Sequence, residues 1–151
     1  PFLRRLVQDE RIEGVEFHGA VSHDEVADWF DRADIFVNSS REDNMPHSII
    51  EAFSSGLPVV TTGAGGIPYV VEHGRNGLLV GIDDPQSMAD AVVRLLREPE
   101  LAERLVGEAL RDCEEKYSWD AARHSWTALY GRLVAGDARM TESLATSDAG
   151  R

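Results

Sequence analysis

Short, continuous apolar runs alternate along this chain with segments whose apolar residues recur at helical spacing. The opening PFLRRLVQDE reads as helix, and GVEFHG is a brief apolar run closed by Gly19, which predicts a strand. Ser22-His23-Asp24-Glu25 has the spacing of a capping box, and Val26, Trp29, Phe30 and Ala33 continue it at helical intervals. In ADIFVNSS, Ile35, Phe36 and Val37 form an unbroken apolar run, the pattern of a strand covered on both faces in a parallel sheet. The alternation then repeats. Residues 46–55 predict a short helix ended by Gly56 as a natural C′ residue, and LPVVTT predicts a strand. After GAGG a further short helix is expected near Pro68, and Arg75-Asn76-Gly77 marks a tight turn before the strand GLLV. From Pro85 onward the pattern is helical. Met88, Val92, Leu95 and Leu96 form one stripe, and Leu101, Leu105, Ala109 and Cys113 a second. Trp119, Ala122, Trp126, Leu129, Tyr130 and Leu133 form a third, expected to serve core or interdomain packing.

Strands alternating with helices predict an α/β domain with a parallel sheet. A ligand of such a sheet sits outside the carboxyl ends of its strands. The loops 38–45 and 62–66 leave those ends. Residues 1–135 are expected to form the domain, and 136–151 a polar, small-residue tail that is disordered.

The net charge of −12 disfavours nucleic acid, whose affinity rests on Lys and Arg neutralising phosphates, and it disfavours docking of this segment on anionic lipid. A single cysteine, Cys113, rules out an intramolecular disulfide and fits a reducing compartment, hence the cytoplasm; its place in a helical stripe makes it a small buried hydrophobe. No run has the length of a membrane span, and no signal-peptide pattern opens the chain. The five histidines show no metal-ligand spacing, and no Walker loop, serine elbow or zinc motif occurs. Because the chain begins at Pro1 within a helical stretch, it is expected to be a segment of something longer.

The candidate chemistry concentrates in EDNMPHSIIEAFSSGLPVVTTGAGG. A helix beginning near Pro46 offers free N–H groups and a positive dipole end, a ready anion site. Glu51 lies in its second turn on the face of His47 and Ser48, and Asp43 precedes the helix. Carboxylates there suit hydroxyl donors such as a ribose or a sugar. The arrangement therefore suits an anion in the middle with hydroxyls at both ends, as in a nucleotide sugar. A plainer alternative has Asp43 or Asn44 as an N-cap and Glu51 paired with His47 at i,i+4.

The stretch from FHGAVSHDEV through GRNGLLV resembles the donor-binding half of retaining, GT-B-fold glycosyltransferases of family 4. The likeness covers roughly residues 14–133. Asp43 and Glu51 keep the spacing of that family's acid-x7-acid signature, and Glu51-Ala52, Gly56 and Pro58-Val59-Val60 match in order. The resemblance implies that Glu51 holds the nucleotide's ribose and that Asp43 touches the transferred sugar as the catalytic residue. It places the backbone of Asn44, Met45 and Pro46 against sugar and diphosphate, and Gly19, Ala20 and Val21 along the base.

It further implies hexosyl transfer from a nucleoside-diphosphate sugar to a hydroxyl acceptor, with retention and without a metal or other cofactor. The acceptor would be bound by a missing N-terminal domain, through which any peripheral membrane attachment would come. The segment alone is expected to be inactive. The chain departs from the pattern in three places. Asp43 stands for a glutamate with Glu42 beside it, Tyr69 stands where an acid often follows Gly-Gly-x-Pro, and the family's diphosphate-clamping cations would lie upstream of Pro1. A nucleotide-sugar epimerase of the same fold and a non-catalytic nucleotide-binding or scaffold module are the rival readings. The resemblance implies a Rossmann-like, doubly wound parallel sheet, the C-terminal half of a GT-B fold, truncated here at its N-terminal side. The family's strand order then predicts three mutually paired strands (35–37, 58–61 and 78–80), with 15–17 either detached or sitting apart.

Overall fold

The computed structural model describes residues 2–134; the expected tail, 136–151, lies outside the described residues. The chain divides into two compact units, Pro1–Ala33 and the remainder from Asp34.

The first unit holds helices α1 (Phe2–Asp9) and α2 (His23–Asp31). The expected capping box is present: the Ser22 amide and hydroxyl donate to the Glu25 carboxylate at 3.3 and 2.5 Å. The hydroxyl's bond, followed by the amide's, holds that carboxyl below its ordinary range. GVEFHG does not form a strand, and 15–17 is irregular. A strand satisfies its backbone only beside a partner, and the three strands of the sheet pair among themselves. Local contacts order this stretch instead. The Arg4 guanidinium donates to the Phe17 carbonyl at 3.3 Å and lies 4.7 Å over the Phe17 ring. His18 packs on Trp29, with ring centroids 4.1 Å apart.

The second unit carries the sheet. Strands β1 (Phe36–Asn38), β2 (Val59–Thr62) and β3 (Leu78–Val80) are parallel in the order β1-β2-β3. The register sets Phe36 opposite Val59, and Val60 opposite Leu78. All four residues of β2 are buried, two valines and two threonines, as befits the central strand. Strand β1, whose apolar run predicted cover on both faces, is only half-buried because it lies at the sheet edge, and its Val37 is exposed. Between β1 and β2 runs α3 (His47–Ser54), which packs on both. Gly56, at φ +73°, closes α3: its N–H donates to the Phe53 carbonyl at 3.0 Å and that of Leu57 to Ala52 at 2.9 Å. That is the paired bonding of a Schellman end, which needs a left-handed residue.

After β3 come α4 (Pro85–Arg97) and α5 (Pro99–Asp112), a π-helical segment Cys113–Tyr117, and α6 (Trp119–Val134). Val60, Leu78, Leu95, Leu101 and Leu105 form one core cluster, with Ile35, Val80, Met88 and Val92 against it. Ile49, Ala52 and Phe53 anchor α3, and all three are fully buried.

Three expectations change. The helix near Pro68 is a single 3-10 turn, Ile67–Tyr69. Leu96, in the first stripe, faces outward, whereas Leu95 beside it is buried. The third stripe does not enter the core: no residue of α6 is buried, Ala122 and Leu129 are half-buried, and Trp126 and Tyr130 stack on each other at 5.8 Å.

A buried polar knot ties the β2–β3 connection to α5. The Asn76 amide accepts from the Glu72 N–H at 2.8 Å and donates to the Val70 carbonyl at 3.0 Å and to Asp112 at 2.8 Å. Asp112 also receives the Arg75 guanidinium and, at 2.7 Å, Lys116. Burial alone would raise the Asp112 carboxyl, but the bonds from Arg75, Lys116 and Asn76 prevail and hold it at about 2.

Candidate functional site

With three parallel strands, the segments following β1, β2 and β3 all leave the same edge of the sheet, the carboxyl edge. They are joined there. The Thr62 hydroxyl donates to the Ser40 carbonyl at 2.5 Å, and the Ser40 N–H donates to the Asn38 side-chain oxygen at 2.8 Å. The Arg41 guanidinium reaches Asp83, beyond β3, at 2.7 Å, which raises the one group and lowers the other from their ordinary values. Asp83 is in the left-handed region at φ +62°.

The tightest junction lies between the two loops singled out in the sequence. The Gly66 N–H donates to the Asp43 carbonyl at 2.7 Å. A methyl group on Gly65 would stand 2.1 Å from the Asp43 carbonyl oxygen, and one on Gly66 would stand 1.7 Å from that of Asn44. Backbone cannot swing aside as a side-chain tip can, so both positions require glycine. The glycine cluster is thus the seat on which residues 43 and 44 rest. The sequence placed this cluster in a loop at the carboxyl end of a strand, and its contact with the acidic loop is visible only in the fold.

Pro46 is the N-cap of α3, in an extended conformation and buried. It carries no N–H, and its carbonyl accepts from Ile49 at 3.1 Å. Its contribution to a site is therefore conformational. Among the described residues no hydrogen bond occupies the amides of Asn44, Met45, His47 or Ser48. These donors stand at the positive end of the helix dipole.

Asp43 and Glu51 are both half-buried, and among the described residues neither carboxylate has a hydrogen bond or an ion pair. The plainer alternative is not what the structure holds. No side chain caps α3, and Glu51 does not pair with His47. Asn44 and Met45 are exposed between them. Gly19, Ala20 and Val21 belong to the first unit and are exposed there. No group of three or more metal-ligating side chains occurs among the described residues. The arrangement can receive an anion at the open amides, with hydroxyls donating to a carboxylate on either side.

Residues 1–98 match the family model described as Glycosyl transferases group 1. D-inositol 3-phosphate glycosyltransferase of Streptomyces griseus is 35% identical over 125 residues, 83% of this chain and 26% of that protein. The chain thus spans about a quarter of the length of this curated relative. Among solved structures, sucrose-phosphate synthase from Thermosynechococcus elongatus superposes with a TM-score of 0.78 at 28% identity, over 89% of this chain and 34% of that one. Anabaena HepE, crystallised in complex with UDP-glucose, superposes with a TM-score of 0.76 over 85% of this chain and 36% of its own; at 21% identity the likeness is one of fold.

Proposed function

Since this chain belongs to the glycosyl transferases group 1 family, we propose that it is the donor-binding portion of a retaining glycosyltransferase. The reaction moves a hexosyl group from a nucleoside-diphosphate sugar to a hydroxyl acceptor, which a further domain binds. One observation carries this reading. Two half-buried carboxylates without protein partners, Asp43 and Glu51, bracket an open helix N-terminus.

In this scheme the free amides of Asn44, Met45, His47 and Ser48 and the dipole of α3 stabilise the diphosphate as it departs. Glu51 accepts from the ribose hydroxyls. Asp43, seated on Gly65 and Gly66, accepts from hydroxyls of the transferred sugar and fixes its orientation. No metal enters the scheme. Support comes from the relatives, which are glycosyltransferases, and from HepE, a protein of the same fold that holds UDP-glucose.

The test is Glu51→Ala in the full-length protein, with donor titration and thermal unfolding read together. Loss of a charge-assisted hydrogen bond is expected to weaken nucleotide-sugar binding by about 1.5–3 kcal/mol, with little change in melting temperature. Unaltered donor kinetics would remove Glu51 from the ribose site, and a scaffold module would be equally indifferent to Asp43→Ala.

A further inference from the structure

Tyr69 ends the 3-10 turn that follows Gly65 and Gly66. Its side chain is 91% exposed, whereas Ile67 and Val71 are fully buried and Val70 nearly so. The turn is clamped on its inner side and carries its aromatic ring outward. Its backbone is as constrained as the ring is open. The Tyr69 N–H donates to the Gly66 carbonyl at 3.0 Å, and the Gly66 N–H donates to the Asp43 carbonyl at 2.7 Å. Two backbone hydrogen bonds therefore connect Tyr69 to Asp43. Among the described residues the Tyr69 side chain has no hydrogen bond or ring contact of its own.

A single exposed aromatic is ordinary on a protein surface. Tyr69 is set apart by its support, a turn preceded by glycines that pack against the backbone of Asp43 and Asn44 in the acidic loop. Resting on the donor-binding reading of that loop, we infer that Tyr69 is a substrate contact, a platform for the ring of the sugar that is transferred. The electron-rich face of a phenol ring attracts the polarised C–H face of a pyranose, as it attracts the positive edge of another ring. With only two side-chain torsions, tyrosine loses little entropy in making the contact. Asp43 then holds hydroxyls of the same sugar, and Tyr69 holds its apolar face. The residue becomes a determinant of which sugar is accepted.

The test uses the full-length protein with Tyr69→Ala and Tyr69→Phe. The probes are UDP-glucose, UDP-N-acetylglucosamine and GDP-mannose, each titrated calorimetrically beside its own nucleoside diphosphate. The comparison isolates the share of affinity that comes from the sugar. Tyr69→Ala is expected to weaken the best-bound nucleotide sugar about tenfold, which is about 1.4 kcal/mol, and to leave the matching nucleoside diphosphate unchanged. Tyr69→Phe keeps the ring and is expected to match the wild type. An equal affinity of wild type and Tyr69→Ala for the nucleotide sugar would overturn the platform while leaving donor binding intact. Equal losses for sugar and free diphosphate would overturn it as well, because the effect would then lie in the loop. If the wild type binds none of the three sugars nor their diphosphates, the donor-binding reading itself falls, and this inference with it.

Discussion

Gly66 shows how a residue with no side chain can matter to chemistry elsewhere. Its Cα lies so close to the Asn44 carbonyl that a methyl group has no room. Alanine there must push residues 43–45 away from β2, and a displacement of about 1 Å at a positioning loop can cost on the order of a hundredfold in rate. Gly66→Ala is therefore expected to lower kcat/KM at least tenfold, with about 1–3 kcal/mol of destabilisation from the forced fit. Steady-state kinetics and urea unfolding of the same preparation check it. A variant with wild-type turnover would mean that the loop finds another seat. At this scale residue type and an eight-position interval made Asp43 and Glu51 candidates beside a plainer capping and pairing role, and only the structure, in which neither side chain caps α3 or pairs with His47, removes that role. The seat was not legible, because the contact joins loops whose meeting depends on the pairing of β1 with β2.

Among elements, the connection between β2 and β3 depends on one buried carboxylate. Asp112 takes hydrogen bonds from Arg75, Asn76 and Lys116, and its folded-state value of about 2 lies below the ordinary 3.8. The sign follows from proton linkage: the unfolded chain binds the proton more readily, so the contribution is present above about pH 4 and is lost as pH falls toward 2. Its size is on the order of 2 kcal/mol. Urea unfolding between pH 5 and 2 is expected to show this loss, and Asp112→Asn to flatten that part of the profile. Removing the charge also takes a shared partner from Arg75 and Lys116 at neutral pH; Arg75 keeps Glu72 and Glu108 and Lys116 is half exposed, so the cost is about 1–3 kcal/mol. A profile identical to that of the wild type would assign the acid sensitivity to other carboxylates, such as Glu108, which Arg111 and Arg75 hold below its ordinary range. In the sequence Asn76 read as a turn residue. Only its burial against α5 reveals the second role.

For the whole molecule, charge decides what this chain does by itself. It carries −12 overall, and within the loops 38–45, 62–66 and 81–84 Arg41 is the one cation, already paired with Asp83; Arg75, farther along the β2–β3 connection, is committed to Asp112. A diphosphate therefore finds amides there without an uncommitted positive side chain. The isolated 151-residue chain is expected to show no transferase activity and to bind nucleoside diphosphates no more tightly than about millimolar, near −4 kcal/mol. Calorimetry with UDP and GDP tests this. Micromolar binding would mean that Arg41 leaves Asp83 for the ligand.

The order of elements, the parallel sheet and the acidic loop ahead of α3 are properties of local pattern, so the sequence alone determined them. Short apolar runs form strands, helical periodicity forms helices, and Gly56 ends α3 where a left-handed residue is required. Other outcomes depended on what each segment meets in space. GVEFHG has strand composition but no ladder partner among the described residues, so it stays irregular. The α6 stripe has the spacing of a packed helix but does not enter the core, because periodicity gives a face and not the surface that would cover it. Gly65, Gly66 and Asp112 acquired their roles only through backbones and side chains brought close by the fold, since those contacts join residues more than 20 positions apart.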